Sequence, residues 1–233
     1  MISIIIPVYN QADKLIKTLK SIAGQKYTDY EVIIVNDGST DNVEKIFADY
    51  YQGLKTASTF TFFNQDNLGA PAARNRGYRA ARGEFIFFCD ADAVLKPAAL
   101  EKMINHLYYS LGASYVYSSF YWGRKLFKSG EFSAQRLYKE PYIHTMALIR
   151  RSDFPATGWD ESIKKFQDWD LWLTMLEQGK VGHFIPEVLF SITPGGTISS
   201  WLPSFAYQLL PFLPVVKKYR TAVKIIKDKH GLS

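Results

Sequence analysis

The hydrophobic positions along this chain fall into two patterns that alternate. Ile2 to Val8 is an apolar run rich in β-branched residues, closed by Pro7 and the turn-prone Tyr9-Asn10. From Asp13 to Ala23 the residues Leu15, Leu19 and Ile22 recur at helical spacing, and Gly24 is a stop signal. Glu31-Val32-Ile33-Ile34-Val35 predicts a second buried strand, ending in Asn36-Asp37-Gly38-Ser39-Thr40-Asp41, a loop dense in turn formers and helix caps. A helix from Val43 to about Tyr51, a weaker strand Phe60 to Phe63, a helix Ala70 to Ala81 with Pro71 in its first turn, and a strand Phe85 to Cys89 follow. Strands that are apolar throughout are covered on both faces. The pattern therefore predicts an α/β fold with a mainly parallel central sheet flanked by helices.

The second half is less regular. A helix is expected from Lys96-Pro97 to about Leu111, and strands or a flap over the aromatic, Ser-rich stretch Tyr115 to Phe132. A further helix is expected from Asp168 to Gly179. Trp201 to Val216 is apolar but broken by Pro203, Pro211 and Pro214, too short and interrupted for a transmembrane helix. Beyond it Val216, Tyr219, Val223 and Ile226 keep helical spacing. The expected division is one domain over residues 1–200 and a helical extension over 201–233.

Composition narrows this little. With 233 residues, 47% of them hydrophobic, the chain suits one large α/β domain with a real core. Its single cysteine, Cys89, forbids an internal disulfide and points to a reducing compartment. The start lacks the basic region and cleavage site of a signal peptide, so a cytoplasmic location is expected. Charge matters more. The formal net charge is +6, and the tail carries Lys217, Lys218, Arg220, Lys224, Lys227 and Lys229 against Asp228 alone. The body is then close to neutral, which argues against nucleic acid as a partner. Three partners suit the basic tail helix: an anionic membrane surface at the inner face of a membrane, the body of the domain, or a second copy of the chain in a homodimer.

The candidate chemistry lies at predicted strand ends. Asp90-Ala91-Asp92 closes the apolar run from Phe85, and two carboxylates at i and i+2 of a strand share a face. Such a pair can grip one divalent cation and leave coordination positions open, which is what a departing diphosphate needs. The carboxyl ends of parallel strands are where open α/β sheets bind ligands. Pro7-Val8-Tyr9-Asn10 and Asn36-Asp37-Gly38-Ser39 fall on that same edge. There Tyr9 can stack on a base and Asp37 can accept a ring N–H, which selects uracil or guanine. A rim aromatic and a helix cap are the plainer readings of the two residues. Asn67-Leu68-Gly69 leads into a helix start that favours an anion, and Arg74, one turn on, is the arginine expected to face the crevice.

The order Pro-Val-Tyr-Asn, Val-Asn-Asp-Gly-Ser-Thr-Asp, Asn-x-Gly-x-x-x-Ala-Arg-Asn-x-Gly and Asp-Ala-Asp resembles the family 2 glycosyltransferases of the GT-A fold. Gly158-Trp159-Asp160-Glu161-Ser162 and Gln167-Asp168-Trp169-Asp170-Leu171-Trp172-Leu173 are similar to that family as well, so the likeness runs over about residues 1 to 200. The resemblance implies a nucleotide-binding half over 1–110 and an acceptor half over 111–200. It implies an inverting enzyme that uses a nucleotide-diphosphate sugar with Mg²⁺ or Mn²⁺ and transfers one sugar to a glycan or lipid-linked acceptor of the cell envelope. Carried over, Pro7, Val8, Tyr9, Asn10, Asp37, Asn67, Gly69 and Arg74 would bind the donor. Asp90, Ala91 and Asp92 would also bind the donor, and Asp92 and Asp90 the cation, with Asp92 the main ligand. Asp168 matches the general base, which takes the acceptor proton opposite the departing diphosphate. Trp159, Gln167, Trp169 and His144 are the acceptor-side candidates, with core packing an equal reading of the two tryptophans and an ordinary strand histidine the plainer reading of His144.

Two departures stand out. Gln167 replaces the Glu that often precedes the base, and the segment Phe190 to Gly196 lacks the His that many members place near the metal or diphosphate. The Gln-x-x-Arg-Trp signature of processive synthases is also missing, so transfer of a single sugar per encounter is expected. A nucleotidyltransferase is the first alternative, although Tyr9-Asn10-Gln11 is no Gly-rich basic loop. A degenerate, non-catalytic domain is the second, against which Asp90, Asp92 and Asp168 stand intact.

Overall fold

The computed structural model describes residues 1–53, 59–195 and 213–232. Four strands, β1 (Ile2–Val8), β2 (Tyr30–Asp37), β3 (Thr59–Gln65) and β4 (Phe85–Phe88), lie parallel in the order β3-β2-β1-β4. Helices α1 (Ala12–Ala23), α2 (Val43–Gln52) and α3 (Ala70–Ala80) alternate with them along the chain. β5 (Ala93–Leu95), β6 (Ala113–Trp122), β7 (Lys125–Phe127), β8 (Leu148–Arg150) and β9 (Val181–Ile192) complete a nine-stranded sheet. β8 joins β4 and β6 antiparallel, whereas β6 and β9 run parallel. The other α-helices among the described residues are α4 (Ala99–Tyr109), α5 (Ala134–Lys139), α6 (Gln167–Glu177) and α7 (Pro214–Lys229).

The apolar strands divide one core between two faces, as the pleat requires. Ile2, Ile4, Ile6 and Val8 of β1 pack with Leu15, Leu19, Val43 and Leu100 from α1, α2 and α4. Ile5 turns to the other face, with Ala73 of α3, Trp172 and Leu173 of α6 and Ile226 of α7. Pro7 is tolerated in the central strand because β4 ends early. The last β1–β4 pair is Ile5 with Phe88, and Ile5 O still accepts Cys89 N at 2.9 Å. Two residues on, the missing N–H of Pro7 faces a side where no partner strand continues. That divergence of β1 from β4 opens the crevice in which the candidate site lies.

The tail helix packs on the body. Val216 and Ile226 are buried, the Tyr219 ring meets Phe166 edge-on, and Lys229 and His230 pair with Asp170 of α6. Of the three expected partners the structure thus shows the second. Positions 201–212 of the Pro-interrupted apolar stretch lie outside the described residues. No helix among the described residues is long and apolar enough to cross a membrane.

Candidate active site

The two carboxylates sit in a turn and not on a strand, a correction to the strand reading. β4 stops at Phe88, Asp90 to Ala93 form a tight turn in which Ala93 N donates to Asp90 O at 3.1 Å, and β5 follows. β5 pairs with β9, which draws the chain sideways immediately after Asp92. The turn is fixed from outside as well. Thr18 Oγ1 of α1 donates to Ala91 O at 2.7 Å, and Thr193 N donates to Asp92 O at 2.9 Å.

The side chains around this turn come from distant segments. Arg74 of α3 is almost fully buried, reaching Asp90 Oδ1 at 3.3 Å and Gln167 Oε1 at 3.0 Å while its guanidinium lies 4.8 Å over the Trp159 ring. His144 is held between Phe120 and Phe190, with centroids at 4.6 and 5.5 Å. Its Nδ1 accepts Met146 N at 3.2 Å, so the neutral ring carries its proton on Nε2, 3.7 Å from Asp90 Oδ2. Asp168 stands at the start of α6, where Trp169 N donates to its Oδ1 at 2.9 Å.

The charges of this cluster act on one another. Burial pushes the Asp92 carboxyl up to about 6, with the neighbouring Asp90 charge adding to the rise and Lys14 opposing it. Burial likewise raises Asp168, while His144, the Trp169 N–H and Arg74 pull it back. Burial lowers His144 against the pull of Asp90 and Asp168, so the imidazole is neutral near pH 7. Two carboxylates in a poorly solvated turn, one of them reluctant to ionise, form a hard-oxygen donor set that suits Mg²⁺ or Mn²⁺. Arg74 and His144 face Asp90, whereas Asp92, the more buried of the two, has Lys14 Nζ at 4.0 Å. No cluster of three or more ligating side chains occurs among the described residues, so a diphosphate and water would have to complete the shell.

The other flank of the crevice is built from loops. Asp37, at the end of β2, accepts Gln65 Nε2 at 2.7 Å, Leu68 N at 3.0 Å and Gly69 N at 2.9 Å. It therefore fixes the Asn67–Gly69 loop, and a carboxylate with about four acceptor sites retains one. Gly69 has φ +96°, a conformation closed to residues with a side chain, and it starts α3. Asn10 is another loop tie. Its Oδ1 accepts Thr40 N at 2.8 Å and its own N donates to Ser39 Oγ at 3.0 Å. Val8 is buried, Pro7 partly so, and Tyr9 stands exposed on the rim beside these loops.

Three acceptor-side candidates face inward, and for the two tryptophans the structure favours the core reading. The Trp159 and Trp169 indoles are 3% and 1% exposed, so neither offers a face to a sugar. Trp159 underlies Arg74, and Trp169 Nε1 donates to Leu137 O at 2.6 Å. Gln167 turns inward, accepting from Arg74 and donating to Ile163 O at 3.2 Å. Because Gln167 is neutral, Arg74 keeps its charge for Asp90. One residue of the cluster, Lys14, is not singled out by the sequence motifs, and its Nζ lies 4.0 Å from Asp92 Oδ2. The signal that would have found it is a lysine four residues before Thr18, on the inner face of α1.

Comparison with known proteins follows the same lines. The model of the family described as Glycosyl transferase family 2 matches residues 3–157. The chain is 28% identical over 194 residues to the chondroitin synthase of Escherichia coli, which covers 78% of this chain and 27% of that one. It is 31% identical over 208 residues to an uncharacterized glycosyltransferase of Rickettsia typhi, covering 81% and 62%. The chain thus spans less than two thirds of either relative. S. aureus TarS in complex with UDP-GlcNAc superposes with a TM-score of 0.71 at 20% identity, over 92% of this chain and 66% of that one. A mannosyltransferase of Pyrobaculum calidifontis in complex with GDP-Man and Mn²⁺ gives 0.69 at 19% identity, over 86% and 58%. The fold is that of the GT-A glycosyltransferases.

Proposed function

The chain belongs to glycosyl transferase family 2, and on that premise we propose that it moves one sugar from a nucleotide-diphosphate sugar, of uridine type, to a hydroxyl on a glycan or lipid-linked acceptor, with inversion. The observation that carries this reading is one cluster of three carboxyls, in which Arg74 and His144 face Asp90 and act on Asp168, and the Asp90 charge acts on Asp92. The TarS and mannosyltransferase neighbours, with UDP-GlcNAc and with GDP-Man and Mn²⁺ respectively, support a nucleotide-sugar donor and a divalent cation.

In this reading the base lies against Tyr9, and the free acceptor site of Asp37 takes a ring N–H. Asp92, with Asp90, would hold Mg²⁺ or Mn²⁺, and a bound cation there would neutralise charge on the departing diphosphate. Arg74 orients Asp90, and Gln167 orients Arg74. Asp168 accepts the proton of the acceptor hydroxyl on the opposite side of the sugar. Its raised pKa suits a base that must let the proton go again near neutral pH. A lipid-linked acceptor fits the exposed Lys217, Lys218 and Lys224 of α7, which would favour an anionic membrane surface. Flotation of the full chain with anionic vesicles, lost when these three lysines become Glu, would support that placement, and unchanged flotation would remove it.

The direct test of the donor is a thermal-shift comparison of UDP, GDP and ADP with and without Mn²⁺. The expected result is stabilisation by UDP in Mn²⁺ and none by ADP. Equal shifts from all three would overturn the role of Asp37.

A further inference from the structure

Lys14 is a cation of the cluster whose ammonium makes no hydrogen bond among the described residues. Its Nζ is shielded from water. Asp92 Oδ2 is 4.0 Å away, close enough for attraction and too far for a hydrogen bond. The position is built. Thr18, one helical turn on, bonds Ala91 O, and Leu95 N donates to Ser21 Oγ at 3.1 Å, so α1 is anchored to both sides of the Asp90–Asp92 turn. From the other side Thr193 N ties the end of β9 to Asp92 O, and a methyl group at Gly195 would lie 3.8 Å from the ammonium. The ammonium therefore lies between Asp92 and the backbone that follows β9.

A buried ammonium with three unused donors is costly, and one carboxylate at 4.0 Å offsets that only in part. A cation seated on Asp92 would add repulsion. An anion placed between the two positive groups resolves both problems, and in a site that takes a nucleotide-diphosphate sugar that anion is the diphosphate. We propose that Lys14 is a donor-binding residue whose ammonium holds the diphosphate beside Asp92, a phosphate contact that does not depend on the divalent cation. The inference rests on the nucleotide reading above and deepens it. It also supplies a second positive group where the segment after β9 lacks the histidine expected there.

The experiment is calorimetric titration of the full chain with UDP and with uridine, in EDTA and in Mn²⁺, for the wild type, Lys14→Met and Lys14→Arg. In EDTA the wild type should prefer UDP to uridine. Lys14→Met should weaken UDP by about tenfold, the weight of one charge-assisted hydrogen bond, and leave uridine unchanged. Lys14→Arg should keep most of the preference. Equal UDP affinity in wild type and Lys14→Met, or a parallel loss for uridine, overturns the proposal. Lys14→Gln replaces the methionine variant in the same comparison if the latter does not melt cooperatively. If the wild type binds no UDP even in Mn²⁺, the nucleotide reading itself fails and takes this inference with it.

Discussion

Asp168 and Asp92 are two carboxyls whose acidity the fold has weakened, with different consequences. For Asp168 the raised pKa implies that activity climbs with pH along a limb above the ordinary carboxylate range, as the base loses its proton. Asp168→Asn should lower kcat by roughly 10²–10⁴-fold, flatten that limb and leave donor affinity unchanged. Steady-state rates across pH would check it, and a variant that loses donor affinity in step with rate would contradict the role. For Asp92 the folded value of about 6 exceeds the ordinary value of 3.8. Its contribution to stability is therefore complete below about pH 4 and is lost as pH rises through 6. The loss is on the order of 3 kcal/mol. In EDTA at pH 7.5, Asp92→Asn should melt above the wild type, with little difference at pH 4. A lower melting temperature at both values would contradict this account. The sequence singles out Asp90 and Asp92 because they close a strongly apolar run, and Asp168 through the likeness of its acidic motif to that of the family. His144 was legible only as a candidate, because Phe120, Phe190 and Asp90, which define its place, lie 24 to 54 residues away in the chain. The sequence leaves the two tryptophans open, because an aromatic beside an acidic motif gives no sign of whether its ring faces water or core.

At the scale of elements, α6 carries Asp168 and is held from behind by the tail. His230 Nε2 lies 2.9 Å from Asp170 Oδ1, and its Nδ1 lies 2.7 Å from Glu177 Oε1. Lys229 bridges Asp160 and Asp170. Burial alone would lower the His230 pKa, but its hydrogen bonds to the two carboxylates raise it above 6.5. The clasp is therefore complete below about pH 6.5 and loosens as pH rises through the folded value. Amide exchange in α7, corrected for intrinsic rates, should be faster at pH 8 than at pH 6, and His230→Gln should remove the difference. Equal protection at both values would contradict the assignment. Elements differ in how clearly the sequence announces them. β1, β2 and β4 are continuous apolar runs, and α1 has a clean buried stripe. β9 is hidden by Gly182, Pro186 and Glu187, and its register against β6 shifts near Ser118 and Ser119. Gly182 is there because a side chain would strike the Tyr115 ring, at 2.4 Å from an added Cβ. β5 and β8 have three residues each and exist only through the strands they pair with.

At the scale of the molecule, the parallel half and the mixed half of the sheet make one crevice. β1, β2 and β4 deliver Tyr9, Asp37 and the Asp90–Asp92 turn to the same edge, while α3 and α6 meet there through Arg74 and Gln167. The parallel half followed from the sequence pattern, because uniformly apolar strands leave few arrangements. The joining of the halves did not, because it depends on polar contacts between residues far apart in the chain, 93 positions for Arg74 and Gln167. The most direct measurement is the anomalous difference map of crystals grown with UDP and Mn²⁺. The expected result is a manganese peak at the Asp92 carboxylate, the base beside Tyr9 and Asp37, and Asp168 facing the diphosphate across an open gap. A manganese peak elsewhere, or a nucleotide bound with Asp92 and Asp168 outside its cavity, would contradict it.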